Sequence, residues 1–336
     1  MKILFDSHNP FSLAHGGFQV QIEQTKIALE KIGVDVEWMR WWDESQWGDV
    51  LQFFGRPSPR FVEFAQKKEM RLVILDLLSG HGSYSYLRRQ VLRLGIRSLR
   101  AMLPAGRAAA VTTGAYLTAD ACIVNTGWES HLMNFIYGVP AARIHVVPNG
   151  VEDIFLNSAP EERGQWLVCT ATITPRKRIL ELARAAVAAK TPLWLIGTPY
   201  SEAEPYFQEF LNLTQKHAAL LRYAGQIRDR GELAAIYRQA RGFVLMSTME
   251  TRSLSSEEAA ACGCPLLLSD LPWAHSVFEK TATYCPVDSP TQQMAGILRE
   301  FYDNAPALPP PPKPKSWVEV AGLFRDVYQN VLAKNR

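Results

Sequence analysis

Two glutamates eight residues apart carry the clearest chemical signal in this sequence. Glu250 follows an apolar run at 242–246, and Glu258 lies in an Ala-rich segment that Gly263 ends. The run predicts a buried parallel strand and the segment a helix. The two carboxylates therefore flank a strand-to-helix corner, which is where ligands bind in open α/β sheets. Amides at the helix start suit a phosphate, and the carboxylates suit sugar or ribose hydroxyls.

Short apolar runs alternate with amphipathic stretches on both sides of this corner. The alternation predicts an α/β protein with two Rossmann-like, doubly wound parallel sheets. Right-handed crossovers put helices on both faces of each sheet. Strands are expected at 2–5, 34–38, 50–54, 72–75, 121–124 and 144–147 in the first half, and at 166–169, 192–196, 221–224, 242–246 and 265–268 in the second.

The chain length also favours two domains, since 336 residues exceed the usual size of a single core. Pro and Gly residues cluster near 149–164, which predicts an N-terminal domain at 1–155 and a C-terminal domain at 160–308. A proline run at 309–312 predicts a stiff spacer, and an amphipathic helix is expected after it, from about 316 to 333.

The composition is that of a soluble globular protein, with 47% hydrophobic and 21% charged residues. A net charge of +3 is too small to indicate a nucleic-acid partner. The five cysteines include no C-x-x-C pair, which favours reduced thiols in a cytosolic protein. The N-terminus lacks the apolar core of a signal peptide, and no apolar run is long enough to span a membrane. We therefore expect a cytoplasmic protein.

Several segments resemble the retaining glycosyltransferases of family 4, which have the GT-B fold. The glutamate pair matches the family's E-x7-E signature, and 259–265 matches its EAMACGxPV continuation. The segment 139–152 resembles its interdomain strand GVPxxKIxVIPNGVD, and Gly16-Gly17 matches an early glycine pair. The resemblance covers nearly the whole chain. It implies a cleft between two Rossmann-like domains and a C-terminal helix, within 316–336, that crosses back onto the first domain.

The resemblance further implies a nucleotide-sugar donor held mostly on the second domain. Glu250 would hold the sugar, Glu258 the ribose hydroxyls and Lys177 the phosphates. Glu250 and Lys177 are the residues that we expect to act in catalysis. The donor-binding residues expected from the resemblance are Gly16, Gly17, Thr172, Lys177, Gly225, Ile227, Glu250, Arg252, Ser253, Leu254 and Glu258.

Transfer from a nucleotide sugar requires stabilisation of a departing diphosphate. The sequence has neither a G-x-x-x-x-G-K-[ST] phosphate loop nor a plausible D-x-D metal motif. Cations and helix N-termini are then left to carry the charge. We expect a donor linked to UDP or GDP, with no cofactor and no metal.

Two positions differ from the family pattern. Thr172 stands where the family has arginine, and Arg176 or Arg178 is the alternative source of that charge. The loop after the first glutamate is Thr251-Arg252-Ser253, where the family has Gly-Phe-Gly. These differences bear on donor identity and activity and leave the predicted fold unchanged.

The acceptor is expected on the first domain. Asp6, His8, Asn9 and His15 follow the first predicted strand, and His81 lies near the position of a family histidine. These residues are the candidates for the acceptor side. The acceptor itself would be a glycan, a lipid-linked sugar or a small molecule.

One segment suggests a further partner. No acidic residue occurs between Asp76 and Asp120, while six arginines lie among apolar residues at Arg88, Arg89, Arg93, Arg97, Arg100 and Arg107. A basic amphipathic helix of this kind binds an anionic membrane surface. The alternative is a helix packed on the sheet with its arginines in water. Peripheral contact through Arg88–Arg107 at the inner membrane face fits family members that act on lipid-linked acceptors.

Together these features predict a retaining, metal-independent glycosyltransferase of hexosyltransferase type, as in polysaccharide biosynthesis. Two alternatives stay open. A GT-B-fold nucleotide-sugar epimerase shares the architecture, although the glutamate spacing favours transfer. A nucleotide-sugar-binding protein without turnover is suggested by Thr172 and the altered loop.

Overall fold

The structure is a computed structural model that describes residues 1–8, 16–111, 113–157 and 161–334. The chain forms two compact units, of which the first comprises residues 1–150 with 315–336 and the second residues 151–314. Each unit has its own parallel sheet with helices, which confirms the predicted α/β class.

The strands are numbered along the chain. They are β1 (Lys2–Ser7), β2 (Asp35–Trp38), β3 (Val50–Phe54), β4 (Arg71–Leu75), β5 (Ala121–Val124), β6 (Ile144–Val146), β7 (Leu167–Thr170), β8 (Leu193–Ile196), β9 (Leu221–Tyr223), β10 (Gly242–Leu245), β11 (Leu266–Ser269) and β12 (Ala282–Cys285).

The helices are numbered in the same way. They are α1 (Gly17–Lys31), α2 (Pro59–Lys67), α3 (Ser79–Gly82), α4 (Tyr86–Met102), α5 (Ala105–Val111), α6 (Ala115–Thr118), α7 (Gly127–Leu132), α8 (Asp153–Leu156), α9 (Ile179–Ala189), α10 (Pro205–Lys216), α11 (Arg230–Gln239), α12 (Leu254–Ala261), α13 (Pro272–Phe278), α14 (Thr291–Asn304) and α15 (Trp317–Ala333). A π-helical segment, Met133–Tyr137, continues α7. Within the described ranges, no helix combines the length and the apolar character needed to cross a bilayer.

The first sheet has the strand order β2-β1-β3-β4-β5-β6, and all its neighbouring strands are parallel. Every side chain of β3 and β5 is buried, as expected for strands covered by helices on both faces. The strand order reverses beside β1, because β2 lies on one side of it and β3 on the other. This switch point between β1 and β3 opens a crevice at the carboxyl ends of the two strands.

The second sheet has the order β12-β11-β10-β7-β8-β9 and is also parallel. Its switch point lies between β7 and β10. The strand β12 was not predicted from the sequence. Three of its four residues are only half-buried, so this edge strand lacks the continuous apolar run that marks the others.

The C-terminal helix α15 completes the first unit and packs against α1. Ser316 and Glu319 form a reciprocal capping box at its start. Its buried face includes Tyr328, whose hydroxyl donates to Gln52 Oε1 on β3 at 3.1 Å. Gly150 lies so close to this helix that a Cβ would come within 2.6 Å of Trp317 Cα. The last segment of the chain is therefore an integral part of the first core.

Candidate active site

The corner predicted around the two glutamates is formed by β10 and α12. Ser253 caps α12, and its Oγ accepts a hydrogen bond from Ser256 N at 3.3 Å. Glu257 and Glu258 lie about one turn into the helix and are buried, whereas Glu250 lies in the loop before it. Because the first amides of a helix have no intrahelical acceptor, the start of α12 offers hydrogen-bond donors to an anion.

Two cations from the loop after β7 meet Glu250 across the switch point of the second sheet. The Lys177 ammonium forms an ion pair with Glu250 Oε1, and Arg176 Nη1 lies 3.2 Å from the same oxygen. The two loops are also joined by their backbones, because Thr248 N donates to Arg176 O at 2.9 Å. The two residues expected to act in catalysis are thus in direct contact, with side chains only 11% and 13% exposed.

The arginines on either side of the lysine have different partners. Arg176 Nη1 also donates to Met249 O at 2.8 Å. Arg178 has a left-handed backbone, with φ +52°, and donates to Val287 O and, from Nη2 at 2.8 Å, to Ser289 O. Of the two alternatives to the family's arginine, Arg176 therefore lies at the glutamate and Arg178 lies against the loop after β12.

The loop that carries Thr172 is held against the end of β8 by a glycine. Gly197 has φ +140°, and a Cβ on it would lie 2.0 Å from Ala171 O. Its N–H donates to the carbonyl of Gly225 at 2.7 Å. Gly225, with φ +65°, and Ile227, which packs on the core, follow β9. The loops after β7, β8 and β9 are therefore packed backbone against backbone.

The partners of buried Glu258 come from α11. Arg230, the first residue of α11, forms an ion pair with Glu258 Oε1, and Tyr237 Oη donates to Oε2 at 3.5 Å. Arg230 also pairs with Glu152, and its guanidinium lies 4.7 Å from the ring centroid of Phe155. Burial raises the pKa of Glu258, and the charge of Arg230 acts against that shift. An ionised Glu258 thus depends on Arg230.

Arg252, in the loop before α12, contacts a glutamate of that helix. Its Nε lies 2.9 Å from Glu257 Oε1, and its Nη2 donates to Oε2 at 3.1 Å. Burial raises the pKa of Glu257, and Arg252 opposes the shift. The guanidinium expected to bind the donor is therefore engaged with a buried carboxylate at the start of α12.

The glycine pair begins α1 in the first unit. Gly16 is the N-cap, with an extended backbone, and Gly17 is the first helical residue. Upstream, the His8 ring lies edge-on to Phe53, with the centroids 4.7 Å apart. Asn9 and His15 lie outside the described residues.

A polar cavity of about 550 Å³ lies beside the end of β1, and its lining includes Asp6, Glu23, Lys26 and Trp38. Asp6 is buried, and its Oδ1 accepts a hydrogen bond from Ser7 N at 2.8 Å. Its Oδ2 has no hydrogen-bond partner among the described residues. Burial raises the pKa of Asp6 to about 6. The lining of the cavity therefore combines carboxyl side chains with an exposed indole.

His81 belongs to a second polar cluster at the carboxyl edge of the first sheet. Its Nε2 lies 3.3 Å from Tyr137 Oη. Nearby, Arg56 Nε lies 2.7 Å from Asp76 Oδ2, and Tyr116 donates to the same oxygen. Burial and the charge of Arg56 lower the pKa of His81, so its imidazole is neutral at pH 7.

Glu129 connects the loops after β4 and β5. It is 2% exposed, and its carboxylate accepts hydrogen bonds from Leu78 N at 2.9 Å and from Asn125 N at 3.1 Å. Burial raises its pKa to about 7, and these two amides act against the shift. The loop that leads to His81 is therefore anchored on a buried carboxylate.

Sequence reasoning missed Arg230 and Glu152, which position Glu258. A signal for the arginine was present, because Asp229 three residues before Glu232 is a helix-start pattern after a predicted strand. The structure shows that cap, with Asp229 Oδ1 accepting from Glu232 N at 2.9 Å. A cation at the first position of such a helix lies at the ligand edge of the sheet.

Comparison with known families and structures agrees with this geometry. Residues 164–304, which contain Lys177, Glu250 and Glu258, match the family model of the glycosyl transferases group 1. No curated protein sequence matches the chain.

Solved structures similar to this chain share its two-unit architecture. HepE of Anabaena, solved in complex with UDP, is 15% identical with a TM-score of 0.64, and the match covers 99% of this chain and 96% of HepE. Sucrose-phosphate synthase of Thermosynechococcus elongatus is 16% identical with a TM-score of 0.67, over 99% of both chains. A glycosyltransferase of Rickettsia africae is 10% identical with a TM-score of 0.65, again over 99% of both. At these identities the likeness shows the fold, which is GT-B.

Proposed function

We propose that the chain, in which residues 164–304 match the glycosyl transferases group 1 model and which has the GT-B fold, is a glycosyltransferase that acts with retention and without a metal. Its donor is a nucleotide sugar. The observation that carries the proposal is the contact of Lys177 and Arg176 with Glu250 at the switch point, next to the start of α12.

The charges at this corner support transfer from a nucleoside diphosphate sugar. The amides at the start of α12 and the side chains of Lys177 and Arg176 would stabilise the diphosphate as it leaves. Glu250, now paired with both cations, would bind the sugar once the phosphates draw those cations away. Glu258 would accept hydrogen bonds from the ribose hydroxyls, with its charge maintained by Arg230. The UDP bound in the HepE structure supports a UDP-linked donor, and GDP is the alternative.

In the proposed reaction, the bond between the anomeric carbon and the diphosphate oxygen breaks. The acceptor hydroxyl attacks the same face, so that the new glycosidic bond has the configuration of the old one. The acceptor proton passes to the leaving phosphate, which makes a separate protein base unnecessary. No cofactor takes part.

The cavity beside β1 supports a hydroxyl-rich acceptor on the first unit. Asp6, which lines this cavity, has a carboxyl that can accept a hydrogen bond from a hydroxyl, and Trp38 offers an aromatic face of the kind that packs against sugar rings. We propose a glycan or lipid-linked sugar as the acceptor, and a cytoplasmic enzyme at the inner membrane face. His8 and His81 remain candidates for the acceptor side.

The decisive experiment incubates the chain with UDP-, GDP- and ADP-sugars, with and without lipid-linked and free glycans. Acceptor-dependent release of nucleotide, with a product that keeps the anomeric configuration of the donor, is expected. Activity should persist in EDTA. Interconversion of the sugar without release would indicate the epimerase, and tight binding without turnover would indicate a binding protein.

The ribose role of Glu258 has its own test. Glu258→Gln should weaken nucleotide binding about tenfold, measured by calorimetry, because a charge-assisted hydrogen bond becomes a neutral one. Glu300→Gln on the exposed side of α14 is the matched control and should bind as the wild type does. Equal affinity of Glu258→Gln and the control would contradict the assignment.

A further inference from the structure

The helix α4 presents its apolar side chains to solvent. Leu87, Val91, Leu94 and Met102 are 75%, 70%, 60% and 81% exposed, and Ile96 is the one buried residue of the helix. Successive residues of a helix rotate by about 100°, so these four side chains lie within roughly 80° of one another. They form a continuous stripe, which we call the apolar stripe. Surface helices of globular proteins show the reverse arrangement, with the apolar face towards the core.

Three arginines hold the opposite side of the helix to the first unit. The guanidinium of Arg89 lies 4.8 Å from the ring centroid of Trp128, and that of Arg93 lies 4.5 Å from Phe135. Arg100 Nη1 donates to the carbonyl of Tyr137 at 2.6 Å. Three of the six arginines expected either at the membrane or in water are therefore used for packing, and the orientation of the helix is set by these contacts.

Two more arginines flank the apolar stripe. Arg88 and Arg97 are exposed and, at about 100° per residue, project on opposite sides of it. Arg88 lies over the ring of Tyr84, 3.7 Å from its centroid. An apolar stripe between two cations is the pattern of a helix that lies in the interface of a bilayer, with its cations at the level of the headgroups.

We propose that α4 docks the first unit on an anionic lipid surface, with the apolar stripe inserted at the boundary of headgroups and acyl chains. The charge of the segment favours lipid over a second copy of the chain. Residues 77–119 contain six arginines, no lysine and no acidic residue, so two copies meeting at the stripe would bring the exposed Arg88 and Arg97 of each together with no acidic partner from this segment. Anionic headgroups would neutralise the same charges. The proposal does not depend on the sugar chemistry, since it concerns a helix of the first unit, whereas the glutamate corner belongs to the second.

Co-sedimentation of the full chain with vesicles tests the inserted stripe. Vesicles of phosphatidylglycerol and phosphatidylcholine should bind the protein, whereas pure phosphatidylcholine should bind it more weakly. The triple variant Leu87→Gln, Val91→Gln, Leu94→Gln should lower partitioning about tenfold or more, because three exposed apolar side chains are lost. Val318→Gln, at a 41% exposed position of α15, is the control and should partition as the wild type does.

A second pair of variants tests the two arginines, Arg88 and Arg97, that flank the apolar stripe. Arg88→Gln with Arg97→Gln should reduce binding to the anionic vesicles roughly tenfold and remove most of the preference over neutral ones. Arg184→Gln with Arg299→Gln makes the same change of charge on the second unit and should leave partitioning unchanged.

The depth to which α4 inserts into the bilayer is measured with a single fluorescent label. Val91→Cys with an environment-sensitive fluorophore should shift to the blue when anionic vesicles are added, and Val318→Cys should not. The proposal is overturned if the wild type shows no binding to anionic vesicles at low salt, or if the triple variant binds equally well. It is also overturned if sedimentation velocity shows a dimer that the triple variant dissociates, since the stripe would then be a protein interface.

Discussion

The two sheets have the same number of strands and the same parallel direction, yet their switch points differ in charge. In the second unit, Lys177 and Arg176 from the β7 loop meet Glu250 from the β10 loop. In the first unit, β1 ends in buried Asp6, whose Oδ2 has no partner among the described residues. Arg56, which follows β3, pairs with Asp76 at the end of β4.

This difference shows which part of the function comes from the fold and which from the side chains. Both topologies open a crevice beside their first strand. Two cations and a helix start suit a diphosphate, whereas the carboxyl-rich cavity that Trp38 also lines suits neutral hydroxyls. We infer that the donor and acceptor roles proposed for the two units follow from the residues at the strand ends.

Removing the cation of the second switch point should have the largest effect. Lys177→Ala is expected to lower kcat by about 10²–10³, because one contact to the leaving group contributes about 3–4 kcal/mol in the transition state. Steady-state kinetics with the best donor measures it. Arg184→Ala, which breaks an exposed ion pair on α9, is the control. If Lys177→Ala and the control had the same kcat, the cation at the second switch point would have no role in transfer, and the proposed difference between the two units would be wrong.

Loss of the anchor in the first unit should mainly affect stability. Glu129→Ala removes the carboxylate that accepts from the buried amides of Leu78 and Asn125, which should lower the free energy of unfolding by about 2–4 kcal/mol. Urea unfolding followed by circular dichroism measures the change. Glu63→Ala, at an exposed position of α2, should have little effect. Equal stability of the two variants would show that the loops are held in another way.

The packing of the donor loops can be disturbed without changing a charge. Gly197→Ala should cost about 1–3 kcal/mol, since its Cβ would overlap with Ala171 O. Because Ala171 begins the loop that carries Lys177, donor affinity should fall as well, measured by calorimetry. Gly296→Ala on α14 has open space at its Cβ and should be neutral or slightly stabilising. If Gly197→Ala bound the donor as tightly as the wild type does, Gly197 would not be needed to position the donor-binding loop.

A pH dependence is expected at the first switch point. The pKa of Asp6 rises from 3.8 to about 6 on folding, so the folded state binds more protons between these values. The contribution of Asp6 to stability is therefore complete below pH 3.8 and lost as the pH rises through 6. Asp6→Asn should gain stability relative to the wild type between pH 4 and pH 7 in urea unfolding. Asp35→Asn on β2 is the control. If the free energy of unfolding of both variants changed with pH in the same way, the burial of the Asp6 charge would be contradicted.

The fold class could be predicted because buried parallel strands read as apolar runs in the sequence. The corner could also be located, since Glu250 and Glu258 lie close together along the chain. The helix start at Arg230 could be read from Asp229 and Glu232, but its pairing with Glu258, 28 residues later, could not. The orientation of α4 could not be predicted from its own sequence either, because it depends on contacts with Trp128 and Phe135, which belong to later elements. The assigned roles of the site residues stay predictions until the variants are measured.

The contact of Gly150 with Trp317 has a consequence for synthesis on the ribosome. The first core needs α15, which is made after the second unit, whereas the second unit is one continuous stretch, 151–314. The second unit can therefore fold during translation while the first still lacks the helix that covers α1. Truncation before residue 315 should accordingly harm the half of the protein that was translated first.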